Sequence, residues 1–333
     1  MKNTYTEINM KKVIWILIGV ALFSLGSHFY FKITNTYFTF SYLKKFRYIP
    51  YINCYEKGEP RVYFGQQKAT KAVLLLHGFD SAPSEFDHLI EQLKQEGIPF
   101  YAPLITGFGI GDFHLLNVVT KTDWLRDSIF GFDLLSSFAE KVDVIGHSNG
   151  GCLATLLASH RPVNQLILLD PYLFPKNLPT LTDRIIKRIV DFAPTRNILS
   201  FLYPVVKGPP LPHRIERMDV VDFKAAEAAF QFKGMPMHSV ITVWAVQSLA
   251  DEEGSSITDW SKETSCETPK PVFLLYGDKD ETANIQEALA YFQKNQVPVQ
   301  SKKYPNVAHD LLIDYNWKEP VSDILTILNE NEL

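Results

Sequence analysis

An apolar run, Val142, Asp143, Val144 and Ile145, ends in Gly146, His147, Ser148, Asn149, Gly150 and Gly151 and passes straight into a small-residue helical pattern over 152–159. Few folds accept a strand, a sharp turn and a helix in that order. A serine at the tip of such a turn sits in a strained backbone conformation, and glycines two positions to either side remove side chains that would collide with strand and helix. Ser148 is then presented above the end of a sheet. The same pentapeptide also arises as a glycine-rich turn with no chemistry, and the flanking strand and helix are what separate the two readings.

A serine hydroxyl is a poor nucleophile until a base takes its proton, so the turn predicts a histidine and a carboxylate elsewhere in the chain. Of nine histidines only His309 lies beyond residue 238, in a loop-then-helix pattern, Tyr304-Pro305-Asn306-Val307-Ala308-His309-Asp310-Leu311. The apolar run from Val272 ends in Gly277, Asp278, Lys279 and Asp280. Asp280 and Asp278 compete to orient the histidine, and Asp280 is preferred on its spacing after the glycine. A third strand pattern, 72–76, ends in His77, Gly78 and Phe79. There a glycine lets the backbone aim an amide at a reacting carbonyl, so the N–H groups of Phe79 and Asn149 are the candidate oxyanion donors. His77 and His147 read as packing and hydrogen-bonding residues.

With these pieces in order over residues 60–330, the chain resembles the alpha/beta-hydrolase superfamily. Within it, the chain is similar to bacterial carboxylesterases and to the monoacylglycerol lipase or lysophospholipase group. The resemblance rests on Leu74-Leu75-Leu76-His77-Gly78-Phe79, the helical pattern 86–95, Pro99-Phe100-Tyr101-Ala102-Pro103-Leu104, Thr122-Asp123-Trp124, the serine turn, residues 277–280 and His309. It implies an α/β fold with a mostly parallel eight-stranded sheet, helices on both faces and an inserted helical lid. It also implies acyl-enzyme chemistry at Ser148 with no metal or organic cofactor. Asn149 stands where that group usually has methionine, which alters pocket shape and leaves the backbone amide in place.

The chain divides by pattern into 1–33, a membrane anchor or signal segment; 34–60, an aromatic and basic juxtamembrane stretch with the start of the first strand; 61–170, the first part of the core; 171–270, the lid; and 271–333, the second part of the core. Residues 13–31 hold no charge, long enough to cross a bilayer, and follow Lys11 and Lys12. The aromatic group Phe29, Tyr30, Phe31 suits an interface, which favours an uncleaved single-pass anchor over export after signal cleavage. Residues 52–55 and 61–64 read as an opening hairpin around Lys57-Gly58-Glu59-Pro60. About one hundred residues separate the strand 165–170 from the next at Val272, far beyond an ordinary connection. Helical patterns and prolines make that insertion a lid, and Tyr172, Phe174, Phe201, Tyr203, Phe230 and Trp244 suit an acyl chain.

A net charge of −4 over 333 residues, without a basic patch, gives no reason to expect nucleic acid. Three cysteines make no disulfide framework: Cys152 reads as a buried thiol, and Cys54 and Cys266 would pair only if exported and adjacent. The expected function is hydrolysis of carboxylic esters of lipophilic acyl chains, the partners being an acyl ester or lipid substrate and, through the N-terminal segment, a membrane. A serine aminopeptidase using Glu216 and Glu227, a non-catalytic tethered binding protein, and acyl transfer to an alcohol are the alternatives.

Overall fold

The computed structural model describes residues 14–15, 18–19, 22, 48–49, 54–65, 69–108, 116, 119–176, 220–221, 242–247, 250, 254–262 and 269–329. The strands are β1 (Tyr48–Ile49), β2 (Cys54–Tyr55), β3 (Arg61–Tyr63), β4 (Ala69–Leu76), β5 (Phe100–Ala102), β6 (Ala139–His147), β7 (Leu166–Leu169), β8 (Val272–Gly277) and β9 (Val299–Tyr304). The helices are α1 (Asp87–Gln95), α2 (Lys121–Ser136), α3 (Asn149–Ala158), α4 (Gly254–Ser261), α5 (Ile285–Lys294) and α6 (Lys318–Asn329).

Among the described residues seven strands form one sheet in the order β3-β5-β4-β6-β7-β8-β9, beside the eight that the resemblance implied. β3 runs antiparallel on β5 and every other pair is parallel. The chain first steps from β4 outward to β5, then crosses back to β6 on the other side of β4. Strand order therefore reverses at the β4/β6 boundary, and the crevice beyond the carboxyl ends of those two strands is where open α/β sheets bind ligands. Leu76 of β4 pairs with Gly146 of β6, so His77 and Ser148 leave the sheet side by side.

The uninterrupted apolar strands belong to a sheet covered on both faces. Leu74, Leu76, Val144, Leu166, Leu168 and Leu274 join one core cluster, while Val73, Leu75, Ile145, Ile167, Leu169 and Phe273 join the other. That alternation is the two-residue period of a strand. The first cluster packs against α2, α3, α4 and α5, and the second against α1 and α6. β7 pairs directly with β8, so the residues between them leave and re-enter the sheet at adjacent positions.

Two expectations are corrected. The opening hairpin does not form between its two halves: β2 pairs with β1 in a separate two-stranded sheet, and β3 goes to the edge of the main sheet. Between them Gly58 N–H donates to Tyr55 O at 2.8 Å, Lys57 turns at φ 70, and Pro60 has no amide hydrogen to continue a ladder. The membrane-spanning anchor is the second: among the described residues no helix is long and apolar enough to cross a membrane. Of residues 13–31 only Ile14, Trp15, Ile18, Gly19 and Leu22 are described, in helical conformation and exposed, and the rest of that stretch lies outside the described residues. The localisation and membrane partner read from this segment do not stand. Most of 34–60 before Cys54, most of 171–270, and Cys266 also lie outside the described residues; Cys54 and Cys152 are buried.

Candidate active site

Ser148 sits between β6 and α3 at φ 51, ψ −116, a region that non-glycine residues occupy only when their surroundings hold them there. Backbone hydrogen bonds do so: Ser148 N–H donates to Leu169 O at 2.9 Å, and Ser148 O accepts from Gly151 N and Tyr172 N, each at 3.0 Å, and from Cys152 N at 3.4 Å. Room for the turn depends on Gly150, where an added Cβ would lie 1.9 Å from Leu76 O. Gly78, on the turn after β4, is similarly pressed against the serine; a Cβ there would lie 3.3 Å from Ser148 Cβ.

The structure brings Ser148, His309 and Asp280 together from three strand-end loops. His309 Nε2 lies 2.8 Å from Ser148 Oγ, and His309 Nδ1 lies 3.0 Å from Asp280 Oδ2. All three are buried. Asp280 Oδ1 accepts from the amides of Thr282 at 2.7 Å and Ala283 at 2.9 Å. Burial pushes the Asp280 carboxyl up, but the charge and hydrogen bond of His309, with the Ala283 amide and Asp170, outweigh it and hold the carboxyl well below the usual carboxylate range. Asp278 is placed elsewhere: it is exposed, and its Oδ1 accepts from Asn306 N at 2.7 Å.

The loop carrying His309 is fixed on both flanks. Lys279 N–H donates to Val307 O at 2.9 Å, and Ala308 N–H donates to the buried Asp314 Oδ2 at 3.1 Å. His147 Nε2 lies 3.1 Å from His309 O, and His147 Nδ1 lies 3.3 Å from Glu85 Oε2. A carbonyl and a carboxylate are both acceptors, so His147 satisfies the two only as an imidazolium donating from both nitrogens. Burial lowers its pKa, yet the charge and hydrogen bond of Glu85 prevail and raise it. Glu85 is correspondingly lowered against its own burial, chiefly by His147. Its other oxygen accepts the Gly78 amide at 3.0 Å.

His77 has the opposite character. Its Nε2 accepts from Ile105 N at 3.1 Å and its Nδ1 faces Gly78 O at 2.8 Å, the pattern of a neutral ring, and burial lowers its pKa. It ties the turn after β4 to the segment after β5. Beside it Phe79, Phe108 and Trp124 pack with ring centroids 5.4–6.4 Å apart. Among the described residues no acceptor meets the backbone N–H of Phe79 or of Asn149. Asn149 opens α3, where the first amides of a helix have no partner within it and carry its positive end.

Asp170, Asp280 and His309 offer ligand atoms all within 4.8 Å of one another, the one grouping among the described residues that could hold a cation. Both His309 nitrogens are already engaged by Asp280 and Ser148. Two residues of this neighbourhood escaped the sequence reading. Asp170 ends β7 as Asp280 follows β8, so the strand-end signal was present; Glu85 lies in a short 3-10 turn, Pro83–Phe86, with no pattern to mark it.

A doubly wound sheet whose strained serine turn lies at the reversal of strand order, facing a histidine and an aspartate from the last two parallel strands, defines an alpha/beta-hydrolase. The chain belongs to the Hydrolase_4 family, described as serine aminopeptidase, S33, whose model matches residues 67–316. It is 29% identical over 99 residues to the thermostable monoacylglycerol lipase of Bacillus sp. (strain H-257), covering 30% of this chain and 39% of that protein. It is 30% identical over 98 residues to the carboxylesterase of Bacillus subtilis (strain 168), covering 29% of this chain and 39% of that protein. The matched stretch thus spans about two fifths of these relatives' length. Among solved structures, the monoacylglycerol lipase of Paleococcus ferrophilus superposes with a TM-score of 0.60 at 19% identity, covering 80% of this chain and 98% of that one. That likeness shows the fold.

Proposed function

We propose that this protein is a serine hydrolase of carboxylic esters, with Ser148 as nucleophile, His309 as base, Asp280 as the carboxylate that orients it, and the Phe79 and Asn149 amides as oxyanion donors. The observation that carries the reading is the continuous contact from Ser148 Oγ through His309 to Asp280, at 2.8 Å and 3.0 Å. His309 Nε2 takes the hydroxyl proton as Oγ attacks the ester carbonyl, and Asp280 stabilises the imidazolium that results. The carbonyl oxygen, now an alkoxide, is held by the two amides, each contributing about 3 kcal/mol to the transition state. The imidazolium then protonates the departing alcohol, and water repeats the sequence on the acyl-enzyme.

Lipophilic acyl chains are the proposed substrate class. The named activities of the two bacterial relatives support esters, and the Phe79, Phe108 and Trp124 group beside the oxyanion turn supports an apolar chain. The segment 171–270 is proposed to cover the site. What supports this is that its described helical part, 242–247, is held to the core, with Thr242 Oγ1 donating to Val119 O at 3.2 Å and Gln247 Nε2 donating to Tyr172 O. Hydrolysis of p-nitrophenyl esters of increasing acyl length by wild type and Ser148→Ala tests this. Loss of turnover in the variant, with an optimum beyond acetate in wild type, is expected; unchanged turnover removes Ser148 from the mechanism.

The family description supports a second reading, a serine aminopeptidase with the same three residues. It needs a carboxylate to hold the substrate ammonium, and Glu216 and Glu227 lie outside the described residues. Turnover of aminoacyl p-nitroanilides in excess of matched esters would select it.

A further inference from the structure

Asp170 is completely buried at the carboxyl end of β7, turned there at φ 40 and fastened by its own N–H to Leu275 O at 3.0 Å. Its two oxygens are in unlike surroundings. Oδ1 accepts the Gly277 amide at 3.1 Å, whereas Oδ2 is buried with no donor facing it. An ionised carboxylate so placed would leave a charge desolvated and half unpaired. The carboxylate of Asp280 lies alongside, with oxygens of the two residues within 4.8 Å. Asp280 has room for one more donor. A carboxylate offers about four lone-pair sites, and His309 Nδ1, Thr282 N and Ala283 N account for three.

We propose that Asp170 works in this site as a neutral carboxylic acid whose O–H donates to the Asp280 carboxylate, making it a positioning residue of the triad. The assignment rests on the triad reading above. Burial and the charge of Asp280 both push the Asp170 carboxyl well above its usual range, in the direction this arrangement requires. Its consequence is a division of labour between two adjacent acids: one stays charged to hold His309, and the other stays neutral to hold the first. The titratable groups around it are Asp280 after β8, His309 and Asp310 after β9, and Tyr304 at the end of β9.

Asp170→Asn is the decisive variant, since an asparagine reproduces a protonated acid: its Oδ1 accepts from Gly277 N and its Nδ2 donates to Asp280. With a p-nitrophenyl ester, kcat/KM is expected within about threefold of wild type and the acid limb of its pH profile unmoved, while Asp170→Ala loses about tenfold in kcat with KM little changed. An ionised Asp170 predicts otherwise. Its loss would strip a negative charge from beside His309 and shift the acid limb downward by about one pH unit, and that shift overturns the proposal, as does an alanine variant as active as wild type. The infrared spectrum of the full chain at about pH 8, far above an ordinary carboxylate pKa, provides a readout independent of turnover. A protonated-carboxyl carbonyl band present in wild type and absent from Asp170→Asn is expected, and no difference band refutes it. This arm decides even if the alanine variant does not fold. It also separates the two readings, because turnover surviving in Ser148→Ala would sink the triad without touching the band.

Discussion

The Glu85 carboxylate and the His147 imidazole form a buried ion pair, Oε2 to Nδ1 at 3.3 Å, that joins two working parts of the site. The other oxygen of Glu85 holds the Gly78 amide, one residue before the proposed donor Phe79, and the other nitrogen of His147 holds the backbone carbonyl of His309. The turn proposed to hold the oxyanion and the loop that carries His309 are thereby set against a common support. Removing one member of a buried pair strands the other.

Glu85→Gln is therefore expected to cost about 3 kcal/mol of stability and to lower kcat about tenfold or more with a smaller change in KM. The pH dependence has a definite sign. Glu85 is depressed, so its contribution is present above the unfolded carboxylate pKa and lost as pH falls through its folded value. His147 is raised, so its contribution is complete below the ordinary imidazole pKa and lost as pH rises through its folded value. The stability gap between wild type and variant should be widest between about pH 4.3 and 6.5. Thermal unfolding of both proteins across that range checks it, and a gap independent of pH would mean that no ion pair exists.

Ser148→Gly separates strain from chemistry. At φ 51, ψ −116 a serine is held against its own preference at a cost of about 1–3 kcal/mol, which glycine does not incur. Glycine loses more backbone freedom on folding, about 0.5–1 kcal/mol, so the variant should gain up to about 1–2 kcal/mol while losing ester turnover. Denaturant unfolding beside an activity assay measures both. A destabilised glycine variant would show that hydrogen bonding by Oγ outweighs the strain.

Ester turnover should rise with pH through one ionisation, as the base His309 becomes able to accept the proton of Ser148. A kcat/KM profile flat from about pH 5 to 8 would exclude His309 as the base.

The sheet and the grouping of Ser148, Asp280 and His309 were legible because both depend on local pattern. Residues 72–76 and 272–275 are apolar runs, 142–145 is apolar apart from Asp143, and each leads into a turn that carries the residue types the proposed chemistry uses. Preference for Asp280 over Asp278 agrees with the contact to His309, and the spacing works because Gly277 lets the turn come within reach of Val307 and Ala308. What could not be read was pairing at a distance. Whether residues 54–55 join 61–63 or 48–49 depends on where each edge finds a partner, and a turn-rich sequence between them fits both. Glu85, a polar residue in a short helical turn, looks like any solvated glutamate until His147 and Gly78 are placed beside it. Asp170 likewise gains meaning only when β8 is known to lie next to β7.

Asp143, in the middle of β6, should make the fold less stable as pH rises. Its Oδ1 accepts from Asn164 Nδ2 at 2.6 Å, its Oδ2 is buried without a partner, and burial, only partly offset by Asn164 and Lys71, pushes its pKa to about 6. Between an unfolded value of about 3.9 and that folded value the native state binds the extra proton, so stability falls with rising pH across the interval. Above it the full penalty applies, on the order of 2–3 kcal/mol at 1.36 kcal/mol per pKa unit. Asp143→Asn keeps an oxygen for the Asn164 amide and cannot ionise. Its Tm should exceed that of wild type at about pH 8 and approach it as pH falls below about 3.9, where the aspartate is protonated in the folded and unfolded states alike. Equal Tm values at the higher pH would mean that Asp143 is ionised in the native protein at little cost, with Lys71 its effective counter-charge.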